Sequence, residues 1–424
     1  MRDFSHPVIL MFIVLNALML GLSSCRDAQN SQSAIQASPA PSVTPTDGVS
    51  PVAAVAAPAA LNELLQQSWD AYRRQFIQSD GRVIDLEQTA DNRTVSEGQA
   101  YAMLRAVMIG DRATFDLTLN WAENNLQRKD VNGKQIDNLW SWKWGRTPQG
   151  QWGIIDANFA SDADVDAVTA LIFAYRRWQD PAYLALARTK LKDLWNYSTL
   201  VGKNAAGKQV RHFLPGPAIA FQEGNLVTLN PSYLAPYAFR LFAQIDSEHD
   251  WLSLVDSSYE FLDAATEISN VRLPGDWVAI DRETGILTPL LSPPPGTSEY
   301  GFDAYRVWWR VGLDWSWFKE PRAKKFLEQR MTHLKQVWKA QKKLPARIDL
   351  QGNPIVEFES TAQYGMVYFA MQIIDPAIAR EIEQKKIAPT YRNGYWDSDS
   401  AYYTHNLIWL GLVPPANLAA LIRP

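Results

Sequence analysis

The chain has 424 residues, 47% of them hydrophobic and 20% charged, with 41 Lys and Arg against 45 Asp and Glu. That balance is globular, and a net charge of −4 without a basic stripe excludes a nucleic-acid partner. One Cys and five scattered His leave no disulfide framework, no Cys-based zinc site and no HExxH-like pair, so neither a metal nor a cofactor is expected.

The excess is aromatic: 17 Trp, 16 Tyr and 16 Phe. Rings at that density fill a large core or line a cleft that stacks on flat apolar faces, and sugars have such faces.

Residues 1–25 read as an export signal. Arg2 precedes an apolar run from Val8 to Leu22, short for a membrane span. The run ends in Leu22-Ser23-Ser24-Cys25, which resembles a lipobox with Cys25 as the lipidated residue. Residues 26–60 are rich in Ala, Pro, Ser, Gln and Thr and read as a disordered tether. The expected location is therefore outside the cytoplasm, lipid-anchored to a bacterial membrane or secreted. Membrane contact would come only through the N-terminus, and the folded part, 61–424, is expected to be a monomer.

Within 61–424 apolar residues recur at helical spacing in twelve stretches: 61–78, 96–109, 112–127, 161–177, 181–198, 231–244, 249–265, 303–314, 321–338, 357–373, 376–385 and 399–411. Strand-like alternation is scarce. Ser96 with Gln99 and Ser161 with Asp164 read as capping boxes. Asn230 before Pro231 reads as an N-cap with Pro at the first helical position, and Pro181, Pro321 and Pro376 read similarly. Short joins at 110–111, 178–180, 245–248, 315–320 and 374–375 alternate with long ones. Short joins make antiparallel helix pairs. The first helix closing against the last gives an all-α (α/α)6 toroid of six inner and six outer helices, with the long loops at one end. An irregular α-solenoid is the alternative; no close repeat of fixed period is present, which disfavours the familiar helical-repeat arrays.

Carboxylates sit where the inner helices begin. Glu97 lies in the first turn of one, Asp162, Asp164 and Asp166 at the start of another, and Asp303 at the start of a third. A lone acid there complements the helix dipole. Three acids at the open end of a Trp-rich ring suit a different task, because two carboxyl groups across a glycosidic bond can hydrolyse it, one protonating the leaving oxygen and the other activating water or attacking the sugar. The acid must keep its proton near neutral pH, which the helix N-terminus opposes at Glu97; Asp162 is the expected counterweight.

The segments Ser96-Glu-Gly-Gln-Ala-Tyr101, Ala160-Ser-Asp-Ala-Asp-Val-Asp166 with its following helix, and Gly301-Phe-Asp-Ala-Tyr-Arg306 resemble the signature regions of glycoside hydrolase family 8, bacterial endo-β-1,4-glucanases with some xylanases and chitosanases. The resemblance spans most of 90–410. It implies an inverting endo-β-1,4-glucanase acting on a β-1,4-linked polysaccharide. Glu97 would be the general acid, Asp303 the base that activates water, and Asp162 the holder of the distorted sugar. Arg306 would orient the base and contact substrate, and Tyr233 and Trp142 match substrate-contacting positions. Xylan or chitosan are alternative substrates, and a non-catalytic glycan-binding lipoprotein is the alternative function.

Two departures stand out. Ala167-Val168 replaces the usual Ile or Met then Ala, an apolar exchange on a packed helix. Phe302 stands before Asp303 where the cellulases often carry Tyr, so Tyr300 or another group is expected to supply that hydroxyl. Trp140, Trp142, Trp144 and Trp152 in one long loop and Trp277 in another are expected to line the cleft, while Trp308, Trp309 and Trp315 are expected in the core. Arg105, Arg240 and Arg310 are expected to pair with buried acids in a structural role.

Overall fold

The computed structural model describes residues 58–291 and 296–423. The signal, Cys25 and almost all of the tether lie outside the described residues.

The helical periodicity is realised as paired helices. The inner helices are α2 (Ser96–Ile109), α4 (Ser161–Trp178), α6 (Pro236–Ala243), α8 (Tyr305–Phe318), α11 (Thr361–Ile374) and α13 (Tyr402–Leu412). The outer layer is α1 (Pro58–Phe76), α3 (Arg112–Asn125), α5 (Pro181–Tyr197), α7 (Trp251–Thr266), α9 (Pro321–Arg330) with α10 (Thr332–Gln341), and α12 (Pro376–Ile382). Each inner helix packs on the next, α2 on α4, α4 on α6, α6 on α8, α8 on α11 and α11 on α13. The seam back to α2 is closed by Arg105 donating to Asn406 Oδ1 at 3.3 Å. This is the (α/α)6 toroid that the helix pairing predicts.

Short joins hold because their caps are good. Asp180 accepts from the Ala182 N–H, Glu320 from Arg322 and Asp375 from Ile378, each ahead of a proline in the first turn. The two expected capping boxes are absent. Val95 and Ala160 precede α2 and α4 without any side-chain cap. Gln99 instead bonds the Val83 N–H and the carbonyls of Gly81 and Thr118, and the Ser161 hydroxyl donates to the Leu214 carbonyl. Two expected helices also differ in detail. Residues 231–244 begin as a 3₁₀ turn, Pro231–Tyr233, before α6, and 321–338 breaks at Met331 into α9 and α10.

The long loops carry strands that the sequence reading missed. Strand β1 (Thr94–Val95), β2 (Gln127–Lys129), β3 (Gln135–Arg146) and β4 (Trp152–Phe159) form one antiparallel sheet with β3 at its centre. Thr94 pairs with Trp144, Val95 with Lys143 and Phe159 with Ser141. Strand β1 runs straight into α2 and β4 into α4, so one sheet aims the N-termini of both helices. A hairpin, β5 (Thr199–Lys203) with β6 (Gln209–Phe213), and a second four-stranded sheet of β7 (Gln222–Glu223), β8 (Leu226–Leu229), β9 (Val278–Asp281) and β10 (Leu287–Pro289) follow. Strand β8 leads directly into the turn bearing Tyr233.

Close approach of the last two inner helices depends on glycine. A Cβ on Gly411 would collide with the Gly365 carbonyl oxygen, and one on Gly365 would sit 2.8 Å from the Ile408 Cα. Overpacking of this kind costs roughly 1–3 kcal/mol. Gly411→Ala is therefore expected to lower the unfolding free energy by that amount, seen as a lower denaturant midpoint at an unchanged slope by circular dichroism.

Candidate active site

The acids at the helix starts converge on one cation. Arg306, in the first turn of α8, is 2% exposed. Its Nη1 donates to Glu97 Oε2 and to Asp162 Oδ2, both at 2.8 Å, and its Nη2 donates to Asp303. Asp162 is buried, whereas the Glu97 and Asp303 side chains each keep 20% of their surface exposed. Glu97 and Asp303 thus sit on opposite terminal nitrogens of one guanidinium and both open to solvent. Asp162 lies behind them and also accepts from the Ala163 N–H at 2.9 Å. The Tyr233 ring lies beneath the Arg306 guanidinium, 5.3 Å from it.

Helix geometry explains why one aspartate of the Asp162-Ala-Asp-Val-Asp166 run joins the site. Residues four apart share a face, so Asp162 and Asp166 both point at α8. Asp166 meets Arg310, one turn below Arg306, in a two-pronged pair at 2.9 Å per oxygen, fully buried, with Tyr237 as an added donor. Asp164 faces the other way. Its Oδ1 accepts from the Trp140 N–H at 3.2 Å, its Oδ2 has no partner, and burial pushes its carboxyl up to about 8.

Glu97 is the carboxyl whose proton affinity suits an acid. Burial, the largest effect, pushes it up to about 7; Arg306 pulls it down, and the charges of Asp162 and Asp303 push it up again. Loss of solvation therefore outweighs the cation and the α2 N-terminus, with Asp162 a smaller contributor in the same direction. Asp162 is raised as well, first by burial and against the pull of Arg306 and Arg310.

Other residues fall differently from expectation. Tyr300 is buried, and its hydroxyl accepts from Trp308 Nε1 at 3.0 Å. Trp308 packs on Phe326 of the outer layer, so this hydroxyl is turned away from the acids. Trp142 is partly exposed on β3, at the register where the neighbouring strands turn into α2 and α4. Trp140 is core: it is buried and donates to Glu123 Oε1 at 2.9 Å. Trp144 is covered by the Trp152 ring, stacked at 5.4 Å, and by the Arg82 guanidinium at 4.8 Å. Trp277 stacks on Phe221 at 5.9 Å and 4°, and lies 6.1 Å from the Tyr233 ring, giving an aromatic run toward Arg306. Arg310 and Arg240 pair with buried acids, Arg240 with Asp314 and Glu320. Arg105 pairs with no acid among the described residues; its guanidinium stacks 4.1 Å from the Tyr72 ring and 4.9 Å from Trp409, and burial lowers it to about 9.

Asp276 was not singled out for the site. It accepts from the N–H groups of Gly301 and Ala304 at 3.1 and 2.8 Å, bracing the turn that carries Asp303. A Cβ on Gly301 would strike its Oδ2 at 2.5 Å, which is why glycine stands there. Tyr403, also missed, donates its hydroxyl to the Phe302 carbonyl, and its N–H donates to Glu87 Oε2 at 3.1 Å.

A sequence profile of Glycosyl hydrolases family 8 matches residues 43–414. The endoglucanase of Pseudomonas fluorescens strain SBW25 is 34% identical over 246 residues, 58% of this chain and 59% of that protein. The endoglucanase of Escherichia coli strain K12 is 32% identical over 246 residues, 58% of this chain and 62% of that protein. The match thus spans about three fifths of the length of these curated relatives. Among solved structures, endo-1,4-D-glucanase from Vibrio fischeri ES114 shares the fold at a TM-score of 0.68 and 24% identity, over 81% of this chain and 93% of that one. Endo-β-1,4-glucanase CMCax from Acetobacter xylinum aligns at 0.62 and 25% identity, over 83% and 97%.

The balance of forces at Glu97 can be measured directly. Its carboxyl is expected to titrate near 7 by ¹³C NMR of Glu-labelled protein. Asp162→Asn removes a negative neighbour and leaves Arg306 Nη1 to Glu97 alone, so the midpoint is expected to move down.

Proposed function

Because the chain belongs to glycosyl hydrolase family 8, we propose that it is an endo-β-1,4-glucanase that cleaves internal bonds with inversion, using Glu97 as general acid and Asp303 as general base. The observation that carries this reading is the single Arg306 guanidinium bonded to Glu97, Asp162 and Asp303 at the open end of the ring. The names of the relatives support a β-1,4-glucan as substrate.

The roles follow from environment. A general acid works best when its pKa lies near the operating pH, and burial brings Glu97 there. Its proton passes to the glycosidic oxygen as the bond from that oxygen to the anomeric carbon breaks. Water attacks the opposite face of the same carbon and gives its proton to Asp303. Inversion needs room for that water, roughly 6.5–9.5 Å between the two carboxyls, and Arg306 bonds one of them on each terminal nitrogen. In this reading Asp162 accepts from a hydroxyl of the distorted sugar; its support is the Arg306 nitrogen that it shares with Glu97. Tyr233, Trp277 and Trp142 supply ring faces for neighbouring sugars. Tyr300 has no part in this reading, since its hydroxyl is committed to Trp308. Export and lipid attachment at Cys25 complete the proposal; their support is the sequence of residues 1–25.

Glu97→Gln and Asp303→Asn are each expected to lower kcat on soluble β-1,4-glucan by roughly 10²–10⁴-fold. ¹H NMR of the first products should show the α-anomer before mutarotation. Because the acid must be protonated, kcat/KM is expected to fall as pH rises through about 7. Wild-type activity in Glu97→Gln, or the β-anomer appearing first, contradicts the assignment.

A further inference from the structure

The carbonyl of Phe302, immediately before Asp303, has an unusual partner. Tyr403, second residue of α13, reaches across the ring and donates its hydroxyl to that oxygen. The two rings meet edge to face with centroids 6.3 Å apart, and Phe302 also lies 5.5 Å from the Tyr305 ring. The first turn of α13 is fixed in place, because the Tyr403 N–H bonds Glu87 Oε2 and the neighbouring Tyr402 ring fills the space left by Gly98. Arg306, Tyr101, Glu97 and Asp303 act on the Tyr403 hydroxyl through space. Phe302 itself is partly exposed and has no hydroxyl to offer the cleft.

We propose that Tyr403 supplies, from the last inner helix, the hydroxyl that Phe302 lacks beside Asp303, and so positions the attacking water. This rests on Asp303 being the base. The geometry assigns the direction of each bond. The phenol proton is committed to the Phe302 carbonyl, so the oxygen can only accept. A water between Tyr403 and Asp303 then donates one hydrogen to each, and both of its lone pairs stay free, one of them to face the anomeric carbon. In the reaction one water proton goes to Asp303 and the other stays on the new hydroxyl; Tyr403 exchanges no proton. Burial and the nearby acids hold the phenol well above its usual value, so it stays protonated and adds no limb of its own to the pH profile. The same bond fixes the peptide before Asp303, which Asp276 braces from its other side through Gly301 and Ala304.

The test uses the full chain and soluble β-1,4-glucan, with four variants beside wild type: Tyr403→Phe, Phe302→Tyr, the pair together, and Asp303→Asn as control. Tyr403→Phe is expected to lower kcat at least tenfold, with KM within twofold, thermal midpoint unchanged and both pH limbs in place. Adding Phe302→Tyr to it is expected to recover most of the loss by returning a hydroxyl on the residue next to Asp303. An unchanged kcat in Tyr403→Phe overturns the proposal. So does a loss that comes with a lowered thermal midpoint and is not recovered in the double variant, which would make Tyr403 a packing residue only. Full activity in Asp303→Asn has a different meaning: it overturns the base assignment, and this inference with it.

Discussion

One guanidinium and three carboxylates account for the chemistry at the open end of the ring. Arg306 is almost wholly withdrawn from water, and a buried cation must be paired and hydrogen-bonded to persist there. Its partners are over-supplied. Glu97, Asp162 and Asp303 would carry three negative charges against one positive, and like charges at such range cannot all ionise cheaply in a poorly solvated site. A proton must therefore reside somewhere in the cluster near neutrality, and it titrates with the cluster rather than with one residue alone. The position of Glu97, solvent-exposed along one edge and raised to about 7, makes it the member able both to hold that proton and to hand it outward.

The tier below makes this arrangement stiff. Asp162 and Asp166 are four apart on α4, and Arg306 and Arg310 are four apart on α8. The two bonded rungs are thus one helical turn apart on both helices. Sliding α4 against α8 would break both rungs at once. Breaking even one buried pair typically costs about 3–5 kcal/mol, because a charge is left without a partner. The lower rung touches no solvent, so it fixes the register of the upper one without taking part in chemistry. Helix periodicity makes the middle acid, Asp164, useless for either rung and sends it to the Trp140 backbone instead.

Much of this was legible in the chain. The alternation of short and long gaps sufficed for the toroid, because antiparallel pairs need short joins and the apolar period is strong in the inner helices. The acids Glu97, Asp162 and Asp303, with Arg306, stood out because each falls in or just ahead of the first turn of a helix. The strands did not stand out. Strand β3 does carry the alternation Trp140-Ser141-Trp142-Lys143-Trp144, but the run is short beside the helical stretches around it, and a bulge between Ser141 and Trp144 buries the polar Ser141 and Lys143 instead of exposing them. The capping boxes failed for a related reason: α2 and α4 issue directly from sheet strands, so Ser96 and Ser161 are already inside the helix and their polar side chains are free for other partners or none. Asp276 and Tyr403 act at long range from irregular backbone or a helix start, and no local spacing points from either of them to Asp303. Tyr300 was the nearer hydroxyl in sequence, yet the core claimed it through Trp308.

The last inner helix shows that closing the ring and building the site are one event. Tyr402 lies over Gly98, and any side chain at that position would collide with its hydroxyl. Gly98 directly follows Glu97, so the glycine of the Ser96-Glu-Gly98 segment is there to let α13 approach the acid. Tyr403, the next residue of α13, bonds the carbonyl that directly precedes Asp303. One helical turn at the C-terminal end of the fold therefore touches the residue after Glu97 and the residue before Asp303. The placement of Glu97 relative to Asp303 is thus constrained at this seam as well as by Arg306. A ring that failed to close, with Arg105 and Asn406 apart, would keep its individual helices and their acids but lose the spacing between them. Tyr402 over Gly98, Tyr403 on the Phe302 carbonyl and Asn406 on Arg105 thus tie the closing of the ring and the placement of Glu97 and Asp303 to the same helix.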